Sequence, residues 1–144
     1  MTTIAWDGKT LAADTLVTWR GNRLGTAPKI AKRGRILASV AGSGVIGRAL
    51  LDWFNTGMCG HPPPAKGHAE EDWATMCLFG LDGVVVLYGP EGWEFVKTKT
   101  YADGAGGDFA LGAMSAGLDA YAAVKIASVH SVSTGNDIMA LSID

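Results

Sequence analysis

The chain has 144 residues, 48% of them hydrophobic and only 18% charged, with a formal net charge of −2. That length suits one domain, residues 1–144, with a sizeable core. No basic run exceeds Lys32-Arg33, which argues against nucleic acid, and no apolar run approaches the ~20 residues of a membrane span. Five tryptophans on a chain with so little charge leave surplus apolar surface for subunit contacts, the alternative being a dense core. The start lacks a basic segment followed by an apolar one, so no signal peptide is expected. Two cysteines, Cys59 and Cys77, make no disulfide framework, which fits a reducing cytoplasm.

The first fifteen residues carry the most chemistry. Two β-prone runs flank Asp7-Gly8, a hairpin signal. Thr2 follows Met1 directly, and Met1 is normally trimmed before so small a residue. An N-terminal Thr then holds its nucleophile and a base on one residue, because its α-amine (pKa ~7.7–8.0) can accept the hydroxyl proton. A two-residue turn sets Thr2 opposite Ala13, and a four-residue loop sets Thr3 opposite Asp14. In either register Asp14 returns to within one rung of the chain start. Side-chain parity puts Asp14 on the face of Thr3, not of Thr2. Asp14 should therefore act through a third group, a cation that reaches the Thr2 hydroxyl.

Residues 16–19 continue as a strand, ended by the turn-like Arg20-Gly21-Asn22. Residues 27–32 read as a short strand opened by Pro28. Lys29, set among Ala and Ile, has a depressed pKa tendency and can shuttle a proton; as a solvated strand end it would do neither. Residues 35–41 form a nearly continuous apolar run, a buried strand. It ends in Gly42-Ser43-Gly44, where free N–H groups at a helix start could hold an oxyanion. Val45, Ile46, Ala49, Leu50, Trp53 and Phe54 then recur at helical spacing up to Gly57. The helix from Val45 to Asn55, with Trp53 and Phe54, is expected near or at a subunit contact, the alternative being that both aromatics turn inward against the sheet.

Three consecutive prolines make residues 58–68 a loop. Cys59, His61 and His68 match no standard zinc spacing, so no metal is expected. After an acidic helical turn at 69–72, strands at 74–81, 84–88 and 93–97 read as an antiparallel meander. Residues 101–107 read as a Gly-rich loop, followed by helices at 108–116 and 120–129, the second N-capped by Asp119. His130 reads as a helix-end histidine. Thr134-Gly135-Asn136 is a turn and 137–143 a last strand. Neither Gly-rich joint is followed by Gly-Lys-Ser/Thr, and the first strand lacks the dinucleotide fingerprint, so no cofactor is expected.

In their order, Thr2-Thr3-Ile4-Ala5-Trp6-Asp7-Gly8, Ala12-Ala13-Asp14-Thr15, Lys29-Ile30, Ala41-Gly42-Ser43-Gly44, Gly104-Ala105-Gly106-Gly107 and Thr134-Gly135 resemble the proteasome β subunits and the bacterial HslV peptidase. The resemblance spans nearly the whole chain. It implies an α+β fold, the four-layer αββα sandwich of N-terminal nucleophile hydrolases, with two stacked antiparallel sheets between helices. It also implies a threonine peptidase, assembled as a homo-oligomeric ring around a chamber, acting on peptides or unfolded protein beside an ATP-dependent unfoldase. By the same resemblance Thr2 matches the nucleophile, Asp14 and Lys29 its carboxylate–lysine pair, and the Gly42 N–H the oxyanion donor. Ser131 and Thr134 match two positions that support proton transfer. Two residues depart from the pattern: Ala105 stands where the family has Ser, and Ser131 where it has Asp. They favour an alternative, a catalytically silent homologue that still assembles; a third reading is an amidase of the same fold acting on a small molecule.

Overall fold

The computed structural model describes residues 2–144; the expected removal of Met1 concerns a residue outside that range. The Asp7-Gly8 hairpin forms from β1 (Thr3–Trp6) and β2 (Thr10–Asp14), with Ile4 opposite Ala13 and Trp6 opposite Leu11. This is the longer-loop register, and the turn closes through Asp7 Oδ1, which accepts from the Lys9 and Thr10 N–H groups. A hairpin of β3 (Leu16–Trp19) and β4 (Asn22–Thr26) follows. The sequence reading does not anticipate β4, because Asn-Arg-Leu-Gly-Thr has neither alternation nor burial and forms only as a partner for β3.

β5 (Ile30–Arg33) and β6 (Ile36–Gly42) lead into α1 (Gly44–Asn55). The meander is present as β7 (Ala74–Leu81), β8 (Val84–Gly89) and β9 (Gly92–Lys97), completing a five-stranded sheet in the order β5-β6-β7-β8-β9. Before it, residues 69–72 make a single turn closed by the Asp72 N–H on the Ala69 carbonyl, with no helix. Residues expected as a Gly-rich loop instead form β10 (Tyr101–Gly104), paired along all of β1. Ala-Asp-Gly has low strand propensity, and the open edge of β1 supplies the ladder that overrides it. α2 (Gly107–Ser115), α3 (Ala120–His130) and β11 (Ile138–Ser142) close the chain, and β11 pairs with β2 to give the order β10-β1-β2-β11.

Side-chain alternation sorts these elements into four layers. From β6, Leu37 points between the sheets while Ala38 and Val40 pack with Leu50, Leu51 and Phe54 of α1. A strand buried on both faces needs the unbroken apolar run that β6 has. The inter-sheet core joins Ile4, Trp6, Leu11, Ile30, Leu37 and Phe79. On the far face of the four-stranded sheet, Ala5 and Ala12 meet Ala110, Ala113, Ala120 and Ala123, small residues that let α2 and α3 lie close. Asp119 accepts the Ala122 N–H as an N-cap, and Asp7 Oδ2 accepts the Ala120 N–H, fixing the first hairpin to the positive end of α3. Phe54 is fully buried against the sheet, and Trp53 packs on the same cluster with its indole N–H on the Cys59 carbonyl. Phe54 thus takes the inward place of the dense-core alternative: the helical stripe that carries it is the one that covers the core. Among the described residues no helix is long and apolar enough to cross a membrane.

Candidate active site

Thr2, immediately before β1, is 6% exposed, and Asp14, at the end of β2, is wholly buried. The hairpin register delivers the parity expected of it. Asp14 turns towards Thr3, whose backbone N–H donates to Asp14 Oδ1 at 2.9 Å. The same oxygen accepts from Lys29 Nζ at 2.9 Å, and Oδ2 accepts from the Gly135 N–H at 3.2 Å. A carboxylate cut off from water is thus supplied with donors from three separate parts of the chain, as burial of a charge demands.

Lys29 follows Pro28 just ahead of β5, and its side chain is 10% exposed. Loss of hydration outweighs the attraction and hydrogen bond of Asp14, so the lysine pKa falls below its ordinary 10.5. A buried pair of this kind contributes little net stability against an apolar replacement of the same shape, whereas removing one partner strands the other. Its presence at a cleft is better explained by chemistry than by folding.

Thr2, Lys29, Val40, Gly42, Arg48 and Leu51 line an open, largely apolar cleft of about 440 Å³. Among the described residues no hydrogen bond engages the Thr2 hydroxyl. Gly42, where β6 gives way to α1, has a φ of +116°, and a Cβ there would run into the Trp73 carbonyl and lie 2.8 Å from the Ala74 Cα. Only glycine lets the chain turn so close to β7.

Thr134 is buried, and its hydroxyl meets that of Thr3 at 2.6 Å. It joins the site through Thr3 and through its neighbour Gly135, not by touching Thr2. Ser131 caps the end of α3, its N–H donating to the Ala127 carbonyl. Its side chain reaches none of Thr2, Asp14 and Lys29 through a hydrogen bond among the described residues. Ala105 is exposed and offers no hydroxyl. His130 stacks on Phe109 at 5.4 Å, away from this group.

Three contributors escape the sequence reading. The Thr3 hydroxyl and the Gly135 N–H come together only through tertiary pairing, although the parity that sets Thr3 beside Asp14 already hinted at the first. Gly106 is required because a Cβ would strike the Thr3 hydroxyl and lie 3.1 Å from that of Thr134. Among the described residues no three His, Cys, Asp or Glu side chains are grouped to hold a metal ion.

No protein-family model matches the chain, and no curated protein matches it. Solved structures do. Thiobacillus denitrificans BPH in complex with epoxomicin aligns over 99% of this chain and 98% of its own, with a TM-score of 0.70 at 21% identity. Thiobacillus denitrificans BPH alone gives a TM-score of 0.70 at 22% identity, with the same coverage. Eukaryotic HslV from Trypanosoma brucei covers 99% of both chains, with a TM-score of 0.68 at 19% identity. The chain therefore shares the fold of these BPH and HslV structures from end to end, the four-layer αββα sandwich with two stacked antiparallel sheets between helical layers.

Proposed function

We propose that this chain is a threonine peptidase subunit of a self-compartmentalising ring, with Thr2 as nucleophile once its α-amine is free. The observation that carries the proposal is a nearly buried threonine opening onto an apolar cleft beside a wholly buried Asp14–Lys29 pair. In this reading the Thr2 amine takes the hydroxyl proton, directly or through water. The Lys29 ammonium, held in place by Asp14, favours the developing alkoxide. The hydroxyl oxygen then attacks the scissile carbonyl, and the Gly42 N–H receives the oxyanion. The amine returns its proton to the departing peptide amine, leaving an ester on Thr2 that water hydrolyses. Thr134 holds Thr3, and through it the strand end from which Thr2 projects. Ser131 takes the supporting position that the resemblance gives it, as a relay through water rather than a direct contact.

Assembly into a homo-oligomeric ring, a cytoplasmic setting, unfolded protein as substrate and an ATP-dependent unfoldase as partner belong to the same proposal. Exposed Trp19, Leu24 and Phe95, the last on edge strand β9, supply apolar surface for subunit contacts. A second reading, a catalytically silent homologue that still assembles, is favoured by one feature of the sequence: Ala105 stands where the family it resembles has a serine hydroxyl to support the amine. Native mass and hydrolysis of an unstructured protein, measured on one preparation, test the two. A multi-subunit complex that degrades the protein supports the peptidase. A multi-subunit complex without hydrolysis supports the silent homologue, and a stable monomer removes the ring from both.

A further inference from the structure

Thr2 lies between two clefts of opposite character. The first is the apolar one, with Lys29 inside and Arg48 among its lining residues. The second, of about 310 Å³, is lined by Thr2, Gly42, Glu71, Trp73, Asp103 and Gly104, with no lysine, arginine or histidine side chain among the described residues that line it. Asp103 accepts the N–H of its neighbour Gly104 and interacts with the Tyr101 hydroxyl, but neither Asp103 nor Glu71 makes an ion pair among the described residues. The Asp103 charge is felt inward instead: with burial, it helps push the Cys77 thiol up to about 12. Trp73, 46% exposed, presents indole surface to the same space without a ring partner among the described residues. Thr2 lines this cleft as well, so a side chain seated there lies directly beside the proposed nucleophile.

Two uncompensated carboxylates beside an aromatic face attract a cation by charge and by the ring quadrupole together. A peptide lying across Thr2 places side chains from the two sides of its scissile bond into the two clefts. The geometry points to a substrate preference: an apolar side chain in the first cleft, and a lysine or arginine side chain in the second, held by Glu71, Asp103 and Trp73. This rests on the peptidase reading, but the cleft can be tested without turnover.

Peptides with an acetylated N-terminus and an amidated C-terminus, so that no terminal charge competes, carry Lys, Met or Glu at one position scanned along an otherwise apolar sequence. Their binding to the intact Thr2→Ala protein is measured by fluorescence anisotropy. At one position Lys should bind on the order of 10-fold more tightly than Glu, with the difference shrinking at high salt. Glu71→Gln with Asp103→Asn should erase the Lys preference while leaving Met peptides unchanged, which also shows that the variant is folded. Equal binding of Lys, Met and Glu peptides at every position, no binding at all, or a preference that survives both substitutions would overturn the assignment. Turnover by the protein with Thr2 intact is scored separately. Charge-selective binding without cleavage contradicts the peptidase reading and keeps the cleft, whereas cleavage without charge selection does the reverse.

Discussion

The sandwich is open at both ends, and the ends differ. At one, β1 begins and β6 finishes, and the cleft beside Thr2 measures about 440 Å³. At the other, around Gly8, Arg35, Gly80 and Lys99, the opening is larger, about 600 Å³. Volume alone would choose the end away from the proposed nucleophile. Arg35 and Lys99 are exposed to water, whereas Lys29 is taken out of water and tied to a carboxylate that is itself fully buried. Such an arrangement is costly to fold and is therefore a sign of chemistry. The lesson is to weigh desolvated charge above cavity size.

The comparison breaks most sharply at Thr2. Thr2→Ala should reduce peptide hydrolysis to background with the oligomeric mass unchanged; activity near that of the unaltered protein would remove Thr2 from the mechanism. Next come the paired groups. Lys29→Ala should lower kcat/KM by ~10²–10⁴-fold, the range of a lost proton-transfer partner. Asp14→Asn should lose activity as well, and the double variant should be no worse than about the more damaging single change, because both act on one hydroxyl. Multiplying losses would separate them.

Gly106→Ala tests the buried hydroxyl pair behind the site. Its Cβ has no room between Thr3, Thr134 and Ala127, so unfolding should become easier by about 1–3 kcal/mol. A neutral effect in denaturant melts would show that α2 shifts freely.

A finer test concerns the charge of Lys29. Burial lowers its pKa, so just below pH 10.5 the unfolded chain binds that proton more tightly than the folded one. The destabilising burden of the charged lysine is present in full at lower pH and is relieved as pH rises through the lowered value towards 10.5. An NMR titration of Lys29 Nζ should have its midpoint below 10.5; a midpoint above it would mean that Asp14 outweighs burial. The smallest effect belongs to the far end. Arg35→Ala and Lys99→Ala should each change stability by less than about 0.5 kcal/mol and leave hydrolysis unaltered. A large loss of activity would move the site or add a partner there.

What the sequence disclosed follows from how local each signal is. Asp14 is legible because hairpin parity alone places it beside Thr3, and Lys29 because a proline and apolar neighbours single it out. The meander and α3 are legible from turn residues and from Asp119. Strand β10 is not, since Ala102, Asp103 and Gly104 pair only because β1 offers an unoccupied edge. The Thr3–Thr134 contact joins residues 131 positions apart, and nothing in either neighbourhood announces the other. Phe54 shows a different limit: helical spacing identifies an apolar stripe but does not say whether sheet or subunit covers it.

The central claim is that Thr2, with a free α-amine, is the nucleophile. Its most direct test is intact-mass and tandem mass spectrometry of the purified protein after treatment with a peptide vinyl sulfone. The account predicts a chain that begins at Thr2 and carries one adduct on that residue, with no adduct on the Thr2→Ala variant. A chain in which Thr2 stays acylated by a preceding residue and unmodified, or an adduct placed on exposed Cys59 alone, would contradict it.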